Sequence, residues 1–371
     1  SWTTPAVAPA QSGTASSPIT IATYPGHTVI VDGGGNTNNA VLGARTNYVT
    51  VRGFIVRNAG GWCFNAAGSS SSARIRGVVI ENNGCSGITA SGVLNPNGIR
   101  FFHIENSIAR NNLLHNDPII GDNANVAGIF LEDGMNNIVE NNEIYSFVTG
   151  IFDKYAIQQD NVFRRNYIHD IGGGILFACF GDSPTTRCRG GQIYENIIVN
   201  ASNGIVAGQT FGSTNFSDFV VYSNTLHNIS NVGIMSGGAS TNFRVWNNIV
   251  WTNSPNRGAL EVGGLTQSNY NNFYPRQRFV LYSSPSASVS YSTLPAWQTS
   301  TGFDLNSIAV DPQFIGPLTG VPLPTAYRLQ STSPLINAGR IGGVSTGAAV
   351  DMGAYPTGSE VIGITNGSLP P

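Results

Sequence analysis

The chain has 371 residues, of which 41% are hydrophobic and only 10% charged, with 45 glycines and a formal net charge of -2. It is too apolar for a disordered polymer and too rich in Gly, Asn, Ser and Thr for a helical protein. A balance this near neutral lacks the basic stripe that phosphate binding needs, and no run of about 18 apolar residues offers a membrane span, so neither nucleic acid nor membrane is an expected partner.

Ser1 leads directly into Trp2-Thr3-Thr4-Pro5. A basic segment followed by an apolar core is missing there, so any leader is expected to have been removed already. Pro18-Ile19-Thr20-Ile21 and Thr28-Val29-Ile30-Val31 read as short alternating strands, separated by Tyr24-Pro25-Gly26 and followed by Asp32-Gly33-Gly34-Gly35. From there two ladders run together. One is a small residue or Asn two before an aliphatic: Gly53, Gly77, Asn106, Asn142, Asn166, Asn196, Asn224, Asn248. The other is a Gly opening an apolar pair: Gly61, Gly87, Gly128, Gly150, Gly174, Gly204, Gly233.

Self-similarity at a period of about 22 to 30 residues marks a solenoid whose units cannot bury their apolar sides alone. Leu is scarce and the strands are β-branched and punctuated by Gly, which excludes leucine-rich repeats. The expected fold is all-β: a right-handed parallel β-helix of roughly ten coils. Asn suits its left-handed turns and can pair amides from coil to coil.

Two steps are too long. One contains an insertion over 113–125 carrying His115, Asp117 and Asp122; the other carries a loop over 180–191. Insertions of this kind lie at the surface, often beside the binding face. After Tyr270 the repeat loosens. The stretch 271–371 is expected to form irregular coils and a C-terminal cap on a single 1–371 domain, because an open solenoid end leaves an edge. Cys63 and Cys85 lie one repeat apart, and Cys179 and Cys188 close a short loop. Two disulfides and a secreted, extracellular, monomeric protein are expected.

Within Val126–Tyr155 the same layout occurs twice, 22 residues apart: Gly128-Ile129-Phe130-Leu131-Glu132-Asp133, then Gly150-Ile151-Phe152-Asp153-Lys154-Tyr155. Coils stack at the strand spacing of about 4.8 Å, so Glu132 should meet Lys154 and Asp133 should meet Tyr155. Alternation from Ile129 and Ile151 turns Phe130, Glu132, Phe152 and Lys154 outward. A turn at Asp153 would bring its carboxylate into the same groove. Glu132, Asp133, Asp153 and Lys154 are therefore the candidate catalytic residues. His103, His115, Asp117, Phe130, Phe152 and Tyr155 are candidates for substrate binding. Glu105, Glu140 and Glu195 recur before ladder positions and read as solvated turn residues.

The opening Gly13-Thr14-Ala15-Ser16-Ser17-Pro18-Ile19-Thr20-Ile21 and the ending around Asp311-Pro312-Gln313-Phe314 and Ser333-Pro334-Leu335-Ile336-Asn337-Ala338-Gly339 resemble secreted right-handed β-helix proteins of the pectate-lyase-like superfamily. That resemblance implies a carbohydrate-active protein, since the group includes polysaccharide lyases, glycoside hydrolases, epimerases and phage tailspikes. Gly128-Ile129-Phe130-Leu131-Glu132 is similar to the segment bearing an acidic catalytic residue in some β-helix glycosidases, which carry a second carboxylate at the place of Lys154. A lysine there is similar to β-helix lyases of uronic-acid glycans, in which it abstracts the C5 proton. Those lyases bear an arginine one coil later, where this chain has Ala178.

Clustered carboxylates favour a glycoside hydrolase, with one acid as proton donor and a second as nucleophile or base. The alternative is a lyase with Lys154 as base and no cofactor other than a possible Ca held by Glu132, Asp133 and Asp153. Against it, the nearby surface reads as more acidic than basic, with Arg164 and Arg165 the one close pair of cations. A third reading is a non-catalytic glycan-binding or adhesive β-helix. In all three the partner is a polysaccharide or oligosaccharide.

Overall fold

The computed structural model describes residues 7–34, 41–86, 97–116, 125–180, 187–208, 216–254, 256–320 and 322–364. Each coil contributes one strand to each of three faces. Starting from the repeat unit, the first face holds Trp62–Ala67, Asn97–Phe102, Ala127–Glu132 and Thr149–Lys154, then the second half of the long strands Tyr167–Ala178 and Ile197–Ala207. The second face is a 10-stranded sheet from Ile19–Ala22 to Leu265–Asn269. The third face holds Phe54–Arg57, Gly84–Ser86, Leu113–His115 and Glu143–Tyr145, and continues to Asn272–Pro275. Pairing from coil to coil is parallel throughout these faces. The molecule is a parallel β-helix, as the period of the sequence requires.

Alternation buries one side of every strand. On the first face Ile99, Ile129, Ile151, Ile175 and Ile205 stack in register and are fully buried. A column of aliphatic side chains this long removes apolar surface from water that no single coil could hide.

Inside the coil Asn83, Asn112, Asn142, Asn166, Asn196, Asn224, Asn248 and Asn271 form a ladder. Each side-chain amide donates to the next Asn carbonyl at 2.9 to 3.2 Å. Asn142, Asn166, Asn196, Asn224 and Asn248 are the asparagines expected from sequence. Gly53, Gly77 and Asn106 lie elsewhere, at turns with φ of 84°, 66° and 50°. The glycine column has a steric cause: a Cβ on Gly128, Gly150, Gly174, Gly204 or Gly233 would lie 2.4 to 3.0 Å from the carbonyl oxygen of the next coil. Gly98 belongs to this column, while Gly87 lies outside the described residues.

Both expected disulfides are formed, Cys63–Cys85 and Cys179–Cys188, with Cα separations of 6.0 and 6.1 Å. The end of the core is closed by helix Leu294–Thr301, whose Trp297 is fully buried, stacks on Phe279 and donates to Asp304 at 2.8 Å. The tail beyond it does something other than cap. It runs back along the flank, where Phe314, Tyr327, Leu335, Met352 and Tyr355 pack against Tyr167, Val199 and Ile249. The exposed apolar positions of several coils are long enough to seat a second layer, and this layer forms one wall of a cleft over the second face.

Candidate active site

The strand Ala127–Glu132 lies between Asn97–Phe102 and Thr149–Lys154, with Phe102, Glu132, Lys154 and Ala178 in one register row. Glu132 therefore meets Lys154 as the 22-residue step demands. Asp133 follows at a left-handed turn with φ of 54°, and its backbone N–H donates to the Lys154 carbonyl at 3.1 Å.

Asp153 does not join them. The strand continues through Lys154 without a turn, so alternation drives Asp153 inward, between Leu131 and Phe177 of the neighbouring coils. It is 1% exposed and accepts from Asn161 Nδ2 at 2.9 Å. Burial raises its pKa well above the ordinary carboxylate range, and the nearby charge of Asp133 pushes the same way. Asp153 is a core residue whose surroundings favour the protonated form, so the expected cluster of carboxylates is not assembled in the groove. The three-carboxylate calcium set fails for the same reason. Among the described residues no group of three His, Cys, Asp or Glu side chains is placed to hold a metal.

Glu132 is outward but covered, at 5% exposure, and its Oε2 accepts from Arg100 Nε at 3.0 Å and from Arg100 Nη2. Burial raises its pKa, with Arg100 and Lys154 acting against the rise. Asp133 receives the Ile157 amide at 2.9 Å and faces His103 Nδ1 at 3.5 Å; its backbone carbonyl accepts from Arg74. Its pKa is raised by desolvation, while His103 is pushed down to about 4 by burial and by the charges of Arg74 and Arg100. His103 is therefore neutral at neutral pH.

Lys154 is half-buried. Its Nζ donates to Asn125 Oδ1 at 2.7 Å and lies 5.1 to 5.8 Å from the ring centres of Phe130, Phe152, Tyr155 and Phe180. Desolvation lowers its pKa, and Glu132 only partly restores it. Phe130 and Phe152, expected as exposed sugar platforms, are 3% and 1% exposed. They pack with Ala127, Ala178, Trp62, Leu176 and Phe180 in a second apolar cluster outside the coil. Tyr155, 38% exposed, is the aromatic ring at the open edge. Its hydroxyl pKa is raised by burial and by Glu132, so the group keeps its proton.

His115 stands elsewhere. It belongs to the third face, stacked on Tyr145 at 4.8 Å in a ladder that continues to His169. Asp117 lies outside the described residues. Arg164 and Arg165 are on the second face, bonded to Glu140 and Glu195 at 2.6 Å, so these two glutamates are ion-paired rather than solvated.

Sequence reasoning missed the cations. Arg100 lies over Phe130 in register, visible in the 30-residue step from Gly98-Ile99-Arg100 to Gly128-Ile129-Phe130. Arg45 follows Ala44 of the strand Leu42–Ala44, close enough to Arg100 for the two charges to interact. Arg74 comes from a serine-rich stretch with no repeat signal. Around Glu132 and Asp133 the fold thus gathers Arg74, Arg100 and Lys154, with Arg45 close to Arg100. The region is richer in cations than the local sequence suggested, with Arg74 set between Asp133 and Glu105 and with Arg100 and Lys154 beside Glu132.

No family model matches the chain, and no curated protein matches it. Among solved structures it is similar to a complex of XylC with xylose at 15% identity and a TM-score of 0.39, covering 63% of this chain and 43% of that one. It is also similar to pectate lyase Bsp165PelA from Bacillus sp. N165 with trigalacturonate, at 13% identity and a TM-score of 0.41, over 72% and 86% of the two chains. A mannuronic-acid-specific polysaccharide family 6 lyase from human gut microbiota aligns at 13% identity and a TM-score of 0.40, over 81% of each chain. The chain thus spans less than half of the XylC chain. Likeness this low says nothing about chemistry, and the fold rests on the strand register itself.

Proposed function

We propose that the protein is an extracellular polysaccharide lyase that cleaves a uronic-acid glycan by β-elimination, with Lys154 as the base. The observation that carries this reading is the gathering of Arg74 and Arg100, with Arg45 close to Arg100, and a lysine of lowered pKa around Glu132 and Asp133. A uronate carboxylate is drawn to such a field and stabilised as its C5 proton leaves. Lys154, whose ammonium form burial disfavours, takes that proton in its neutral form. The electron pair forms the C4–C5 double bond, the C4–O4 bond breaks, and the leaving oxygen takes a proton from the Tyr155 hydroxyl or from water. Glu132 and Asn125 hold Arg100 and Lys154 in place, and His103 supports Asp133. A hydrolase of the expected kind pairs carboxyls on adjacent coils, and Asp153, the carboxyl one coil on from Glu132, is inside the coil. The two disulfides fit an oxidising compartment.

The test is turnover of polygalacturonate, alginate and glucuronan, read as ultraviolet absorbance from unsaturated ends. Wild type should cleave at least one with a rate that rises with pH and levels off below the ordinary lysine range. Lys154→Met should lose about 1,000-fold or more with the melting temperature held. New reducing ends without absorbance, or full activity in Lys154→Met, would overturn the assignment.

A further inference from the structure

A cleft of 1060 Å³ lies on the second face, away from Lys154, between the strand surface and the returning tail. Its floor is one left-handed corner residue from each of five successive coils: Asn141, Arg165, Glu195, Ser223 and Asn247, with φ between 50° and 57°. Beside them the edges of Tyr222 and Trp246, stacked at 5.2 Å, supply apolar surface. The opposite wall adds Ile341 and Val361, exposed by 59% and 52% although both are apolar. Four coil steps make a trough about 19 Å long at the ordinary strand spacing.

The cleft contains polar groups shielded from solvent that have no hydrogen-bond partner: Asn141 Oδ1, Arg244 Nε and Glu360 Oε2. Glu360 is 8% exposed, and its other oxygen is already used by the Thr357 amide at 3.1 Å and the Thr357 hydroxyl at 2.5 Å. Buried groups of this kind cost free energy unless a ligand meets them. Two are acceptors and one is a donor, and Asn141 and Arg244 belong to the first and last of the five coils, so the complement must both donate and accept along its length. Hydroxyl groups do this; a carboxylate or phosphate does not. The charged lining is Asp160, Glu195, Asp218 and Glu360 against Arg165 and Arg244, which disfavours a polyanion.

We infer that this cleft is a second glycan-binding site that takes a neutral polysaccharide, about one sugar per coil, and is separate from the uronate site. A polymer whose repeat is close to the coil rise meets an equivalent corner side chain at each unit. Its hydroxyls reach Arg244 and Glu360, while its C–H faces lie on Tyr222, Ile341 and Val361. Such a site would hold the protein on a neutral glycan while the first face works on an acidic one.

The experiment is titration calorimetry of the whole chain with cellohexaose, xylohexaose, mannohexaose and laminarihexaose, with hexagalacturonate and a lysine-rich peptide as contrasts. At least one neutral hexasaccharide should bind. Arg244→Met and Glu360→Gln should each weaken that binding about tenfold or more, with unchanged unfolding midpoints and unchanged turnover of any uronate polymer the enzyme cleaves. Lys154→Met should bind the neutral hexasaccharide as wild type does, which separates this site from the proposed lyase chemistry. Absence of binding by all four neutral probes, binding insensitive to both substitutions, or preference for the lysine-rich peptide overturns the inference.

Discussion

Asp153→Asn separates the two chemistries that the repeat suggests. The carboxyl is 1% exposed, accepts from Asn161 and has its pKa raised well above 3.8 by burial. Between the unfolded value and the raised folded value, the native state binds a proton that the unfolded chain has released. Stability therefore falls as pH rises through that window, by about 1.4 kcal/mol per pH unit for this one group. Asparagine has the shape of the protonated acid and can keep the bond from Asn161, yet it has no proton to lose. The variant should match wild type near pH 4 and gain on it steadily toward neutral pH. Urea unfolding at half-unit pH intervals reads this directly, since a melting shift would be about 2 °C or less per kcal/mol in a chain this long. Turnover should be unchanged, because the side chain faces Leu131 and Phe177 rather than the groove. A variant that is less stable than wild type at pH 8, or one that loses turnover by orders of magnitude, would refute the burial argument and restore Asp153 as a chemical group.

Arg100→Met should cost about 3 to 5 kcal/mol, because it leaves Glu132 buried beside an apolar side chain. Adding Glu132→Gln should recover much of that loss without restoring turnover, measured as a double-mutant cycle in urea and in uronate cleavage. Asn166→Leu removes amide bonds to Val139, Arg164 and Asn196 and takes away the acceptor of the Asn142 backbone N–H. A loss of about 3 kcal/mol or more is expected by denaturant unfolding, and a loss below about 1 kcal/mol would show that the ladder is ornamental to stability.

The repeat itself was legible in one dimension. A column of Gly-Ile pairs and an Asn at each turn have no other efficient use than stacking, so the solenoid, the meeting of Glu132 with Lys154 and both cysteine pairs followed from spacing alone. Even the inward direction of Asp153 was written in the alternation with Ile151. What spacing does not encode is whether a polar residue ends a strand or is swallowed by it; that depends on whether Asn161 waits inside to receive it. Nor does it encode which charges from non-equivalent places converge. Arg45 and Arg74 come from irregular segments, and only the winding of the coil brings Arg74 beside Asp133 and Arg45 beside Arg100. The direction of the tail was equally hidden, because its apolar residues would serve a cap or a flank equally well. The tertiary structure chose the flank, where Tyr167, Val199 and Ile249 offered apolar surface, and in doing so it closed the cleft over the second face.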